Sequence, residues 1–173
     1  MSRIVLDASV GLALVLPEPA TEAVLEQVAE WRAAGTRLLV PSLFWLEVAN
    51  VLVRAKRFDG SRVLEALYEL EAIDLGSIEL DRPTLLLALD IMERHGLSSY
   101  DAAYLALAES LDAKLATLDA ELGAAAGTRA VRLPGGKGVS ESVSRYGPRP
   151  SWAHWPGASA YLAELRARVI ART

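Results

Sequence analysis

LSSYDAAYLALAESLDAKLATLDAEL, residues 97–122, packs a helix, a short strand and the start of a second helix into 26 residues. Ser98 or Ser99 opens the first helix, which carries Asp101 near its beginning. Lys114 to Ala116 makes the strand, and Asp119 opens a short helix that fades in Gly123–Gly127. Helix and strand alternating at this spacing is the unit from which open α/β sheets are built. Two more acids occupy comparable places upstream: Asp7 at the end of a first strand, and Glu47 inside an otherwise apolar helix.

The same alternation extends on both sides. Arg3 to Leu6 is a short β-rich run, and Ala8 to Leu16 a brief helix stopped by Pro17 and Pro19. Thr21 to Ala33 is amphipathic, with Val24, Leu25, Val28 and Trp31 on one face, and Gly35 ends it. Leu38 to Val40 is a second strand closed by Pro41. Ser42 is expected to cap a helix reaching about Arg57, LFWLEVANVLVRAK, whose only polar breaks before its end are Glu47, Asn50 and Arg54 on one stripe. Gly60 or Ser61 starts another helix to about Ala72, and Ser77 to Leu80 makes a third short strand. Pro83 begins a helix that runs through His95, with Gly96 placed as its terminator. Ala130 to Leu133 is the fifth strand. The predicted fold class is therefore α/β, with a central parallel sheet of about five strands covered by helices on both faces.

Residues 1–133 form the predicted domain. Residues 134–157 are a Gly/Pro/Ser-rich linker ending in the Trp-rich SWAHW, and 158–173 a basic amphipathic helix. That helix carries Tyr161, Leu162, Leu165 and Val169 on one stripe and Arg166, Arg168 and Arg172 off it. An apolar stripe has to be buried, so docking on the body or on a second subunit is favoured over an RNA contact through Trp152, Trp155 and the arginines.

The net charge of −4 conceals an asymmetry. Residues 1–128 carry 10 Lys/Arg against 20 Asp/Glu, and residues 129–173 carry 8 against 2. An acidic body binds nucleic acid poorly unless metal ions or the basic tail supply positive charge. Cysteine is absent, which removes thiolate chemistry and disulfides and suits a reducing cytoplasm. Asp7 interrupts the apolar run from 4 to 16, and no span reaches the roughly 20 apolar residues of a membrane helix, so the expectation is a soluble cytoplasmic protein without a membrane partner.

Each acid has a structural reading. Asp7 and Asp119 can be helix N-caps, Ser98-x-x-Asp101 matches a capping box with Asp in place of Glu, and Glu47 shares its stripe with Asn50 and Arg54 as a solvent face would. Their joint placement points further. In an open parallel sheet ligands bind beyond the carboxyl ends of the strands, where the strand order reverses. If strands one and four are neighbours, Asp7 and Asp119 meet there, with Asp101 and Glu47 on adjoining helices. Carboxylates converging in this way repel one another and suit a hard divalent cation with oxygen ligands, Mg²⁺ or Mn²⁺. His95 and His154 lie far apart and His95 sits where a cap or helix-dipole role explains it. Gly135-Gly136-Lys137-Gly138 lacks the spacing of a phosphate loop. Lys114 edges the fourth strand; Phe44 and Trp45, amid Leu43 and Leu46, read mainly as packing with part of the surface able to receive another chain.

IVLDASVGLALVLPEP, PSLFWLEVANVL, LSSYDAAYLALAE and LATLDAEL stand in the order and spacing of the PIN-domain nucleases, and the chain most resembles their VapC-type toxins. The resemblance covers residues 3 to about 133 and implies an α/β/α sandwich with strand one central and strand four beside it. It makes Asp7 and Asp101 the principal metal ligands, with Asp119 completing the acidic ring directly or through water. Glu47 becomes a ligand or water-orienting base, and Ser9 and Thr117 fall where the family has small hydroxyl residues near the metal. The implied activity is Mg²⁺- or Mn²⁺-dependent hydrolysis of RNA phosphodiesters by in-line attack of water. A homodimer inhibited by a small antitoxin is implied with it. A PIN-like module that binds RNA or protein without cleaving is the alternative. A response-regulator receiver would want paired acids after strand one and an acceptor Asp after strand three, and has neither. The basic tail departs from the compact family pattern.

Overall fold

The computed structural model describes residues 2–17, 20–131 and 133. Its sheet is centred on Arg3–Leu6 (β1). Arg37–Pro41 (β2) pairs with one edge of that strand, and Gly76–Ile78 (β3) lies outside β2. Lys114–Ala116 (β4) pairs with the other edge, and Ala130–Val131 (β5) lies outside β4. All four pairings are parallel, in the order β3-β2-β1-β4-β5. Successive strand residues point to opposite faces. Ile4, Val5 and Leu6 are all buried, as are Leu38, Leu39 and Val40, so both faces of the sheet are covered. The layers are the expected α/β/α sandwich.

The covering helices are Ala8–Val15 (α1), Thr21–Ala33 (α2), Leu43–Arg54 (α3), Gly60–Glu71 (α4), Arg82–His95 (α5), Ser99–Ser110 (α6) and Ala120–Ala126 (α7). α6 is the helix buried all round: residues 102–108, AAYLALA, are seven in succession without an exposed side chain. Its alanines let it sit tightly on β1, β2 and β4 while α5 packs alongside. α3 is nearly as apolar but buries one line, Phe44, Val48 and Leu52, spaced four apart. Phe44 meets Trp45 edge-on at 5.2 Å and 89°, Trp45 reaches Ser77 at the sheet edge, and Leu46 projects outward.

Some boundaries differ from expectation. α3 stops at Arg54, not near Arg57, because Arg57 turns into the left-handed region at φ 58° and the Phe58 N–H returns to the Leu52 carbonyl. Ser42 precedes α3 without capping it: its backbone is already helical and its hydroxyl donates to Glu79 at 3.0 Å. β3 is Gly76–Ile78, not Ser77 to Leu80, since only Leu39, Val40 and Pro41 offer it partners. β5 ends at Val131 among the described residues; Leu133 is buried and Arg132 lies outside them. Gly96 closes α5 as expected, at φ 67°, with its N–H on the Met92 carbonyl. The linker, SWAHW and the helix of 158–173 lie outside the described residues.

The strand order decides where a site forms. From β1 the chain steps outward to β2 and β3, then returns to β4 on the far side of β1. The reversal falls between β1 and β4, where the crevice of a parallel sheet opens.

Candidate active site

Asp7 follows β1 in extended conformation, and its N–H continues the ladder to the Ala116 carbonyl at 3.1 Å. It caps α1, Oδ1 accepting the Val10 N–H at 3.2 Å. The Ser9 hydroxyl donates to the same oxygen at 2.5 Å, and the Thr117 hydroxyl donates to Oδ2 at 2.6 Å. Each hydroxyl also accepts a backbone N–H from the turn after β4: Ser9 that of Leu118, Thr117 that of Asp119, both at 2.9 Å. Two hydroxyls thereby link the ends of β1 and β4 through one carboxylate. Asp7 is 5% exposed, and burial pushes its carboxyl up to about 6. The bonds from Ser9, Thr117 and Val10 pull the other way, and the charge of Asp101 adds to the rise.

Asp101 lies in the first turn of α6, half-buried. Ser98 caps the helix by accepting the Asp101 N–H at 3.2 Å, and its hydroxyl donates to Asp101 Oδ2 at 2.6 Å. A capping box would send the acid back to the Ser98 N–H; here the short Asp side chain accepts a hydrogen bond from the hydroxyl. Burial raises this carboxyl too, with Asp119 and Glu121 adding to it. Asp119 caps α7, Oδ1 accepting the Leu122 N–H at 2.8 Å.

Glu47 is half-buried on α3, and the solvent-face reading of its stripe does not hold: Asn50 and Arg54 are half-buried as well. Its Oε2 accepts the Tyr104 phenol at 2.7 Å. Burial pushes Glu47 up to about 7; Tyr104 lowers it, and the charges of Asp7 and Asp101 raise it. Tyr104, 1% exposed, is pushed far above the ordinary phenol range by burial and by Glu47, so it remains a donor at any working pH.

Asp7, Glu47 and Asp101 therefore feel one another's charge, and Asp101 also feels Asp119. Asp7 and Asp119 follow β1 and β4 at the strand reversal, and the charge interactions link Asp101 to both and Glu47 to Asp7 and Asp101. Among the described residues, no three Asp, Glu or His side chains stand close enough to hold a metal ion by themselves. The donor set still fits Mg²⁺ or Mn²⁺: such ions accept one or two carboxylates, keep several waters and take the remaining ligands from a phosphate. Oxygen donors that oppose each other's ionisation are relieved by such a cation.

Tyr104 is the functional candidate that sequence reasoning missed. Its signal is its place in DAAY: three residues after Asp101 on a helix, it shares the acid's face. Ser98 was legible only as a cap, and Ser9 as a small hydroxyl. Of the other candidates, Lys114 reaches out to the Thr128 carbonyl at 2.8 Å and His95 is exposed at the end of α5. Gly135-Gly136-Lys137-Gly138, Trp152, His154 and Trp155 lie outside the described residues. No helix among the described residues is long and apolar enough to cross a membrane.

The profile of the PIN domain matches residues 4–127. Ribonuclease VapC3 of Pyrobaculum aerophilum is 35% identical over 126 residues, covering 69% of this chain and 92% of that protein. The fold is similar to that of Mycobacterium tuberculosis VapC20, described as a sarcin-ricin-loop-cleaving toxin, with TM-score 0.59 and 16% identity over 70% of this chain and 94% of that one. It is also similar to a chain of a toxin–antitoxin complex from Klebsiella pneumoniae, with TM-score 0.56 and 16% identity over 75% of this chain and 96% of that one.

Proposed function

The chain belongs to the PIN-domain family, and from that premise we propose that it is a metal-dependent endoribonuclease of VapC type, the toxin of a toxin–antitoxin pair. The observation that carries this reading is the buried Asp7 at the β1–β4 reversal, coupled electrostatically to Asp101 and Glu47. The identity to ribonuclease VapC3 supports RNA as the substrate. The likeness of fold to VapC20 and to the Klebsiella complex agrees with a toxin that a small antitoxin covers. Homodimerisation belongs to the same proposal, and the exposed Leu85, Leu86 and Leu89 on α5 are apolar surface that another chain can bury.

In this reading Asp7 and Asp101 hold Mg²⁺ or Mn²⁺, and Asp119 completes the acidic ring directly or through water. The ion, when bound, supplies Lewis acidity and positive charge beside the scissile phosphate. Ser9 and Thr117 keep both oxygens of Asp7 oriented and favour its anionic form. Glu47, with a carboxyl near neutrality, orients the attacking water and accepts its proton. No side chain attacks the phosphate, so the reaction passes through no covalent enzyme intermediate.

The test is incubation of purified protein with a panel of structured RNAs in Mn²⁺, Mg²⁺ or EDTA, beside Asp7→Ala and Asp101→Asn. Cleavage is expected with the metals, absent in EDTA, and at least roughly 100-fold slower in both variants, the loss of a few kcal/mol of transition-state stabilisation. Equal cleavage by all three proteins would remove these acids from the site. No cleavage under any condition would favour the non-cleaving module.

A further inference from the structure

We propose that Tyr104 is a positioning residue for Glu47: its hydroxyl donates to Oε2 and fixes where the carboxylate stands at the site. This rests on the nuclease reading above and assigns a role that none of the four acids can fill alone.

Three features of the structure support it. Tyr104 is fully enclosed in the run 102–108 of α6, so its ring has no room to swing and its hydroxyl is a fixed point. Glu47, by contrast, is a long, half-exposed side chain on another helix, with several rotamers open to it in the absence of a partner. The 2.7 Å bond joins residues 57 apart in the chain and ties α3 to α6 across the crevice.

The second feature is the helical spacing. Asp101 and Tyr104 sit three apart on one rigid helix, so α6 carries both an acid of the site and the group that places another acid relative to it. The third is the direction of the forces on Glu47. Asp7 and Asp101 repel its carboxylate, and the phenol bond holds it against that repulsion. With one lone pair of Oε2 engaged, the carboxylate keeps its remaining acceptor sites for an ion or a water, in an orientation set by the phenol.

A buried tyrosine always needs an acceptor, so the experiment has to separate placement of Glu47 from simple satisfaction of the hydroxyl. Titration calorimetry of the full-length chain with Mn²⁺ makes a double-mutant cycle of wild type, Tyr104→Phe, Glu47→Ala and the double variant. Tyr104→Phe is expected to weaken Mn²⁺ binding about tenfold, as loss of a ligand's supporting partner does. In RNA cleavage kcat should fall with KM nearly unchanged. In the Glu47→Ala background the same substitution should change Mn²⁺ affinity by less than about twofold, because nothing remains to be placed. An equal loss in both backgrounds, or no loss in either, overturns the positioning role. If Tyr104→Phe does not fold, Glu47→Asp draws the carboxylate out of the hydroxyl's reach and should show the same weakening; wild-type affinity there overturns the role. A wild type that takes up no Mn²⁺ overturns the nuclease reading itself, and the placement of Glu47 with it.

Discussion

Asp7 sits where a carboxylate is costly and is held there by three donors: the Ser9 and Thr117 hydroxyls and the Val10 N–H. Burial outweighs them, since its carboxyl stands near 6 and not at 3.8. The charged form is thus disfavoured in the folded protein, and a neutral isostere should relieve it. That rise corresponds to a ceiling of roughly 3 kcal/mol, from which loss of the bond that Thr117 donates to Oδ2 subtracts about 1. Asp7→Asn is expected to stabilise the metal-free protein at pH 8 by about 1–2 kcal/mol, measured by urea unfolding in EDTA. The same variant should lose the stabilisation that Mn²⁺ confers on wild type. Lower stability in EDTA would mean that the three hydrogen bonds outweigh the burial. In sequence Asp7 was legible as the acid after the first strand. Ser9 and Thr117 were legible only as small hydroxyls near the site; that Thr117 donates to Asp7 was not, because the two lie 110 residues apart.

At the scale of elements, the placement of Glu47 depends on how α3 lies against α1. A Cβ on Gly11 would meet Phe44 Cζ at 2.5 Å and Cε2 at 2.8 Å, and Phe44 is fully buried with Trp45 against its edge. Gly11→Ala gains about 1 kcal/mol of helix propensity, yet overpacking in an enclosed core costs about 1–3. The net expectation is a variant destabilised by up to about 2 kcal/mol, with the added strain pressing on α3 three residues before Glu47. Thermal melts check the first part, and weaker Mn²⁺ binding by calorimetry checks the second. Unchanged Mn²⁺ affinity would show that α3 absorbs the strain without moving Glu47. The helix itself was readable from LFWLEVANVL. That Phe44 goes inward, Leu46 outward and Ser42 to Glu79 depended on which neighbours α3 acquired.

For the whole molecule the raised carboxyls set a pH response. Asp7 rises from 3.8 to about 6 and Glu47 from 4.5 to about 7, with Asp101 raised as well. Between the unfolded and folded values the native state holds more protons, so stability declines as pH increases. The metal-free protein should therefore lose roughly 2–4 kcal/mol from about pH 4 to 7 through these groups, Glu47 being discounted for its exposure, and level off above. Mn²⁺ needs the same carboxylates deprotonated, so its stabilising increment should grow over that window. Melts at pH 5, 6, 7 and 8 in EDTA and in Mn²⁺ test both slopes; parallel curves would separate metal binding from these acids. By itself the sequence determined the alternation of strand and helix, most element limits and the places of four acids, because periodicity and Gly/Pro stops are local properties. That β1 and β4 are neighbours follows from the family resemblance and not from any local pattern in the chain. The tertiary structure decided the sheet order, the sharing of Asp7 between Ser9 and Thr117, and the bond from Tyr104 to Glu47. These join residues from 2 to 110 positions apart, and all but the bond from Ser9 depend on which strands and helices become neighbours. Periodicity along the chain carries no record of that choice.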